Sequence, residues 1–126
     1  MPTQTRPKYL NLFEIRLPLP GLISILHRVS GAALFLFAIP LLLSMLGGSL
    51  RSEDTYNCWR ELLAHPLAKL VAIGFAWAFL HHFCAGIRHL LHDAHIGVSL
   101  PAARLSAKLV LIISIALTLL FGAIIW

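Results

Sequence analysis

Leu67-Ala68-Lys69-Leu70-Val71-Ala72-Ile73-Gly74-Phe75-Ala76-Trp77-Ala78-Phe79-Leu80 runs directly into His81-His82-Phe83-Cys84-Ala85-Gly86-Ile87-Arg88-His89-Leu90-Leu91-His92-Asp93. From Leu67 to Leu91 the run is long and apolar enough for a bilayer-crossing helix, which takes about 20 mostly apolar residues. Each helical residue turns the chain by about 100°, so His82, Gly86, His89 and Asp93 fall along one stripe. Ionisable side chains inside such a helix are costly, and by default they mark a site.

A glycine one turn after a histidine has a specific physical use. Gly86 removes a side chain where a flat macrocycle, gripped through its iron by the His82 imidazole, would otherwise collide. Axial histidine is one of the usual ways of holding haem iron, so the stretch reads as a b-type haem site with His82 as ligand. His81 points about 100° away from His82 and is expected to hydrogen-bond to a neighbouring helix instead. No Cys-x-x-Cys-His occurs, which excludes covalent attachment of haem by that motif.

Two further apolar runs, about 21–46 and 105–126, complete three candidate spans. Only 12% of the 126 residues are charged, about half the globular average, while 59% are hydrophobic. The chain is therefore expected to be all-α, a single membrane-anchor domain (1–126) of three transmembrane helices at about 21–46, 67–91 and 105–126. Residues 1–20, with Arg6-Pro7 and Leu17-Pro18-Leu19-Pro20, read as a cytoplasmic arm whose Leu10, Leu12, Phe13 and Ile15 can dock on the membrane or a partner. Gly47-Gly48 are expected to end the first helix and open an outer loop, and Pro40 to kink that helix.

A net charge of +5 does not argue for nucleic acid, because the basic residues flank the spans rather than covering a soluble face. Arg6, Lys8, Arg16 and Arg28 precede or open the first span, and Arg88, Arg104 and Lys108 surround the second connection. Counting positive residues puts the N-terminus in the cytoplasm and Trp126 on the opposite, periplasmic side. Cys58 and Cys84 fall at different depths and are not expected to bridge.

The first span opens with Gly21-Leu22-Ile23-Ser24-Ile25-Leu26-His27-Arg28-Val29-Ser30-Gly31. Ser24, His27, Arg28 and Gly31 recur at i, i+3, i+4 and i+7, a polar stripe too costly to face lipid. An antiparallel arrangement of spans one and two brings His27 and Arg28 to the depth of His89. Two distant stretches thereby assemble one polar cluster. The third span carries no group that suggests chemistry and reads as scaffold.

These motifs have a family resemblance. Arg6-Pro7, Ser24-Ile25-Leu26-His27-Arg28-Val29-Ser30-Gly31 and His82-x-x-x-Gly86-Ile87-Arg88-His89-Leu90-x-x-Asp93 resemble the cytochrome b556 membrane subunits of succinate dehydrogenase, over essentially the whole chain. The resemblance implies a bacterial inner-membrane anchor of respiratory complex II. Its implied partners are a second small anchor subunit, an iron–sulfur subunit and a flavoprotein, with FAD and iron–sulfur clusters confined to the last two. It further implies haem b shared between the anchors, with His82 as one axial ligand, and ubiquinone reduced close to Ser24 and Arg28. By the same resemblance His27 and His89 lie near the haem propionates, and Arg28, Gly86 and Arg88 belong to the haem environment.

Three other readings compete. A quinol:fumarate reductase would use a similar anchor with electrons running the other way. A haem-free structural anchor would leave His82 merely packed, against which the matched polar stripes argue. A small transporter would show inverted repeats, and none is visible.

Overall fold

The computed structural model describes residues 16–126, and every described element is helical. Arg6-Pro7 and most of the expected arm lie outside the described residues. The first span consists of α1 (Leu19–Ala33), a π-helical turn (Leu34–Ala38) and α2 (Ile39–Arg51). A short helix α3 (Glu53–Ala64) follows, then α4 (Pro66–Asp93) and α5 (Leu100–Ile125). Among the described residues, three helices are long and apolar enough to cross a membrane: Leu19–Arg51, Pro66–Asp93 and Leu100–Ile125.

Gly47-Gly48 do not break the first helix, which runs on to Arg51. The reason is a packing contact across the turn into α3. A Cβ on Gly48 would stand 2.6 Å from Nε1 of Trp59, so the glycine makes the hollow that seats the indole. The helix stops instead at Ser52, whose extended backbone and hydroxyl cap α3 by accepting the Thr55 N–H at 3.2 Å. At 33 residues the first helix is roughly 50 Å long, more than the ~30 Å hydrocarbon core, so its far end has room to project.

The disturbance expected at Pro40 takes the form of the π turn just before it. Proline has no N–H to offer the carbonyl four residues back, and its ring collides with that carbonyl. Widening the ladder relieves both, and the Ile39 N–H accordingly bonds to Leu34 O, five residues earlier.

Helix α4 begins with Pro66 at its first position, where a missing N–H costs nothing. His65 caps it: Nδ1 accepts the Leu67 N–H at 3.2 Å. The other end closes through Ile96 N–H to Leu91 O (2.8 Å) and His95 N–H to His92 O (2.9 Å). This is the paired bonding of a Schellman cap. His95 takes the left-handed position with φ 60°, and Gly97 follows with φ 73°.

Helices α4 and α5 run antiparallel. Lys69 Nζ donates to Trp126 O at 3.2 Å, Ile73 packs on Gly122, and Arg88 Nε donates to Ser106 Oγ at 3.0 Å. The core joining α1, α4 and α5 is small: Ile23, Ala85, Ala107 and Val110. Small residues at the crossings let helix backbones approach closely, the main source of helix adhesion where lipid is as apolar as the side chains. Large apolar residues such as Phe35, Leu42, Phe79, Phe83 and Ile112 point outward, as suits a lipid-facing or partner-facing surface.

Candidate functional site

His82 projects from α4 toward α1. Its Nδ1 lies 2.9 Å from the carbonyl oxygen of His27 and 3.4 Å from Ser30 Oγ. A carbonyl oxygen can only accept, so Nδ1 carries a proton, and in the neutral ring that tautomer leaves the lone pair on Nε2. Ser30 Oγ donates to the same carbonyl at 3.0 Å, which fixes both groups against the α1 backbone. Metal-binding histidines are oriented in this way, by a second-shell acceptor on the ring nitrogen that does not ligate.

The two rings of this crossing fit into each other's helices. A Cβ on Gly31 of α1 would lie 2.7 Å from Cε1 of His82, so only glycine leaves room for that imidazole. In return the His27 ring lies over Gly86 of α4, with Nε2 3.5 Å from where a Cβ would be. The His27 ring stacks on His82 (centroids 4.2 Å apart, planes 10° apart) and meets His89 at 5.0 Å and 50°. His82, His27 and His89 thus form a row, with the α1 histidine between the two from α4.

On its other flank His82 borders an apolar groove of about 970 Å³. Gly31, Phe35, Ala38, Phe75 and Phe79 line it, and it extends to Trp59 and His65 at the far end. That volume is at the upper end of the ~300–1,000 Å³ typical of ligand sites. An oriented imidazole with a free Nε2 at the wall of a large apolar groove is a donor set that fits a haem. Cys84 and Cys58 are free thiols, as the sequence implied.

Of the residues expected at the site, the fold brings His27, His82, Gly86 and His89 together. Ser24 is half-buried and Arg28 exposed on the edge of α1, beside the cluster rather than inside it. Arg88 lies elsewhere. It is buried on the α5 side of α4, with Nε on Ser106 Oγ and Nη2 3.4 Å from Ala103 O. One helical position before His89 the side chain simply points about 100° away.

His81 departs from expectation. It is fully buried and stacked on Trp77 at 5.4 Å, but neither ring nitrogen has a hydrogen-bond partner among the described residues. Ser30 is a contributor that the stripe overlooked, although it sits three residues after His27 on nearly the same face.

Residues 2–121 match the model of the succinate dehydrogenase/fumarate reductase transmembrane subunit family. The chain belongs to that family. Among its relatives, the succinate dehydrogenase cytochrome b556 subunit of Coxiella burnetii is 36% identical over 122 residues, covering 96% of this chain and 97% of the relative. The subunit of the same name from Rickettsia felis is 36% identical over 115 residues (91% and 89%). That of Paracoccus denitrificans is 31% identical over 115 residues (91% and 88%). The match to this family of transmembrane subunits spans all three long apolar helices almost completely, and the chain is an integral membrane protein.

Proposed function

We propose that this chain is the haem-holding membrane anchor of a bacterial succinate:ubiquinone oxidoreductase, with its N-terminus cytoplasmic and its C-terminus periplasmic. In this reading a second small anchor would share in holding the haem, and an iron–sulfur subunit and a flavoprotein dock on the cytoplasmic side. The observation that carries the proposal is the His82 ring, held by Nδ1 on the His27 carbonyl with Nε2 free beside an apolar groove. The names of the cytochrome b556 relatives point the same way.

A b-type haem bound here would accept and return single electrons. The rest of the work belongs to side chains. His82 would hold the iron through Nε2, and its bond to the His27 carbonyl fixes the ring plane. His27 and His89 offer N–H donors to propionate oxygens, whose charge would be costly at this depth without them. Gly86 keeps the α4 surface low beside the ring. Ser24 donates a hydrogen bond to a quinone carbonyl, and Arg28 stabilises the negative charge that builds on that oxygen as the quinone is reduced. Their position at the open edge of α1 leaves both able to meet a ligand held between this chain and its partners.

The test is purification of the chain with its native partners. Succinate-driven reduction of ubiquinone is expected, and it should depend on this chain. A complex that instead favours quinol-driven fumarate reduction identifies the reverse-running relative. Full activity in a complex that never contained haem leaves a structural anchor.

A further inference from the structure

On the face of α4 opposite the histidine row there is a second cavity, of about 290 Å³, between α4 and α5. Its walls are Ile87 and Leu91 from α4 and Leu109 and Ile113 from α5, with Arg88 and His92 also lining it. Arg88 is only 6% exposed, and its partners are a hydroxyl and a backbone carbonyl rather than a carboxylate. His92 Nε2 is buried with no hydrogen-bond partner among the described residues. A buried guanidinium without a counter-charge among the described residues, next to an orphaned imidazole nitrogen, is an expensive combination.

Both groups lie in the last two turns of α4, at the end where Arg104 and Lys108 stand exposed on the first turns of α5. The only acid among the described residues at this end is Asp93, which is exposed. Below the two polar groups the cavity is lined almost wholly by apolar side chains. A negative head above an acyl chain matches this arrangement, and basic pockets between helices near the membrane surface are where such headgroups bind.

We propose that the cleft between α4 and α5 is a binding site for an anionic phospholipid. Its phosphate is held by Arg88 and His92, and an acyl chain lies against Ile87, Leu91, Leu109 and Ile113. The lipid supplies the charge that Arg88 lacks and the acceptor that His92 Nε2 lacks. It also clamps α5, which has few other polar ties to α4, onto the bundle. Arg88 is thereby assigned to lipid rather than to the histidine cluster.

The complex is purified with its native partners, delipidated, and reconstituted with phosphatidylglycerol or phosphatidylcholine. Retained lipid is then counted by native mass spectrometry, with inorganic phosphate as a competitor. The wild type is expected to retain phosphatidylglycerol selectively and to resist competition by phosphate. Arg88→Gln should lower that retention about tenfold, the scale of one charged hydrogen bond. Leu109→Trp, which fills the apolar part and leaves Arg88 in place, should lower it as well while the subunits still co-purify. Equal retention of the two lipids by the wild type overturns the proposal. So does undiminished phosphatidylglycerol in both variants, and displacement by phosphate alone reduces the site to a simple anion pocket.

Discussion

His82 and Gly31 illustrate how closely this fold is specified at single positions. Gly31→Ala forces the His82 ring off its acceptor, because Cε1 occupies the space a Cβ needs. The expected cost is about 1–3 kcal/mol, the range for overpacking, read as a lower melting temperature of the detergent-solubilised complex. Gly86→Ala brings a methyl only to ordinary contact with His27, so stability should hardly change. If Gly86 also clears space for a haem, that same variant should lose or shift the haem band while melting normally. His81→Phe keeps the stack on Trp77 and removes two orphaned nitrogens. It is expected to raise the melting temperature, since an unmet buried polar group costs about 1–3 kcal/mol. A fall in melting temperature would mean that a buried water or other partner satisfies the ring.

Elements show where sequence reading succeeded and where it stopped. The three long helices were legible because apolar length is a one-dimensional signal. So was the pairing of His27 with His89, which needs only antiparallel helices and equal depth. The Gly47-Gly48 error was physical: glycine weakens a helix by about 1 kcal/mol, but local sequence does not reveal that Trp59 will return to fill the gap. Arg88, which the resemblance alone gave to the haem environment, faces α5, and helical spacing by itself does not say which neighbour lies on that side. Its direction depends on where α5 packs. At the end of α4, His95 holds a left-handed conformation that glycine adopts without strain. His95→Gly should therefore stabilise the α4–α5 connection by about 1 kcal/mol, seen as a higher melting temperature. An unchanged or lower value would show that the imidazole is held there by a partner.

At the scale of the whole molecule, far more large apolar side chains are exposed than buried among the described residues, and the histidine row opens on an apolar groove rather than on a closed core. Such a surface suits lipid and, in the proposed function, the helices of a second anchor. Arg28, exposed at the edge of α1, belongs to that outward-looking part. Arg28→Ala is expected to slow succinate-driven ubiquinone reduction roughly 100–1,000-fold, the loss typical of a donor that stabilises developing charge, with haem content unchanged. Loss of haem together with activity would place Arg28 at the haem instead. The central claim, that His82 presents Nε2 to haem iron, is tested most directly by a dithionite-reduced minus oxidised spectrum of the purified complex. Wild type and His81→Phe should both give a sharp b-type α band, and His82→Ala should weaken or abolish it with all subunits retained. An unaltered band in His82→Ala would contradict the account.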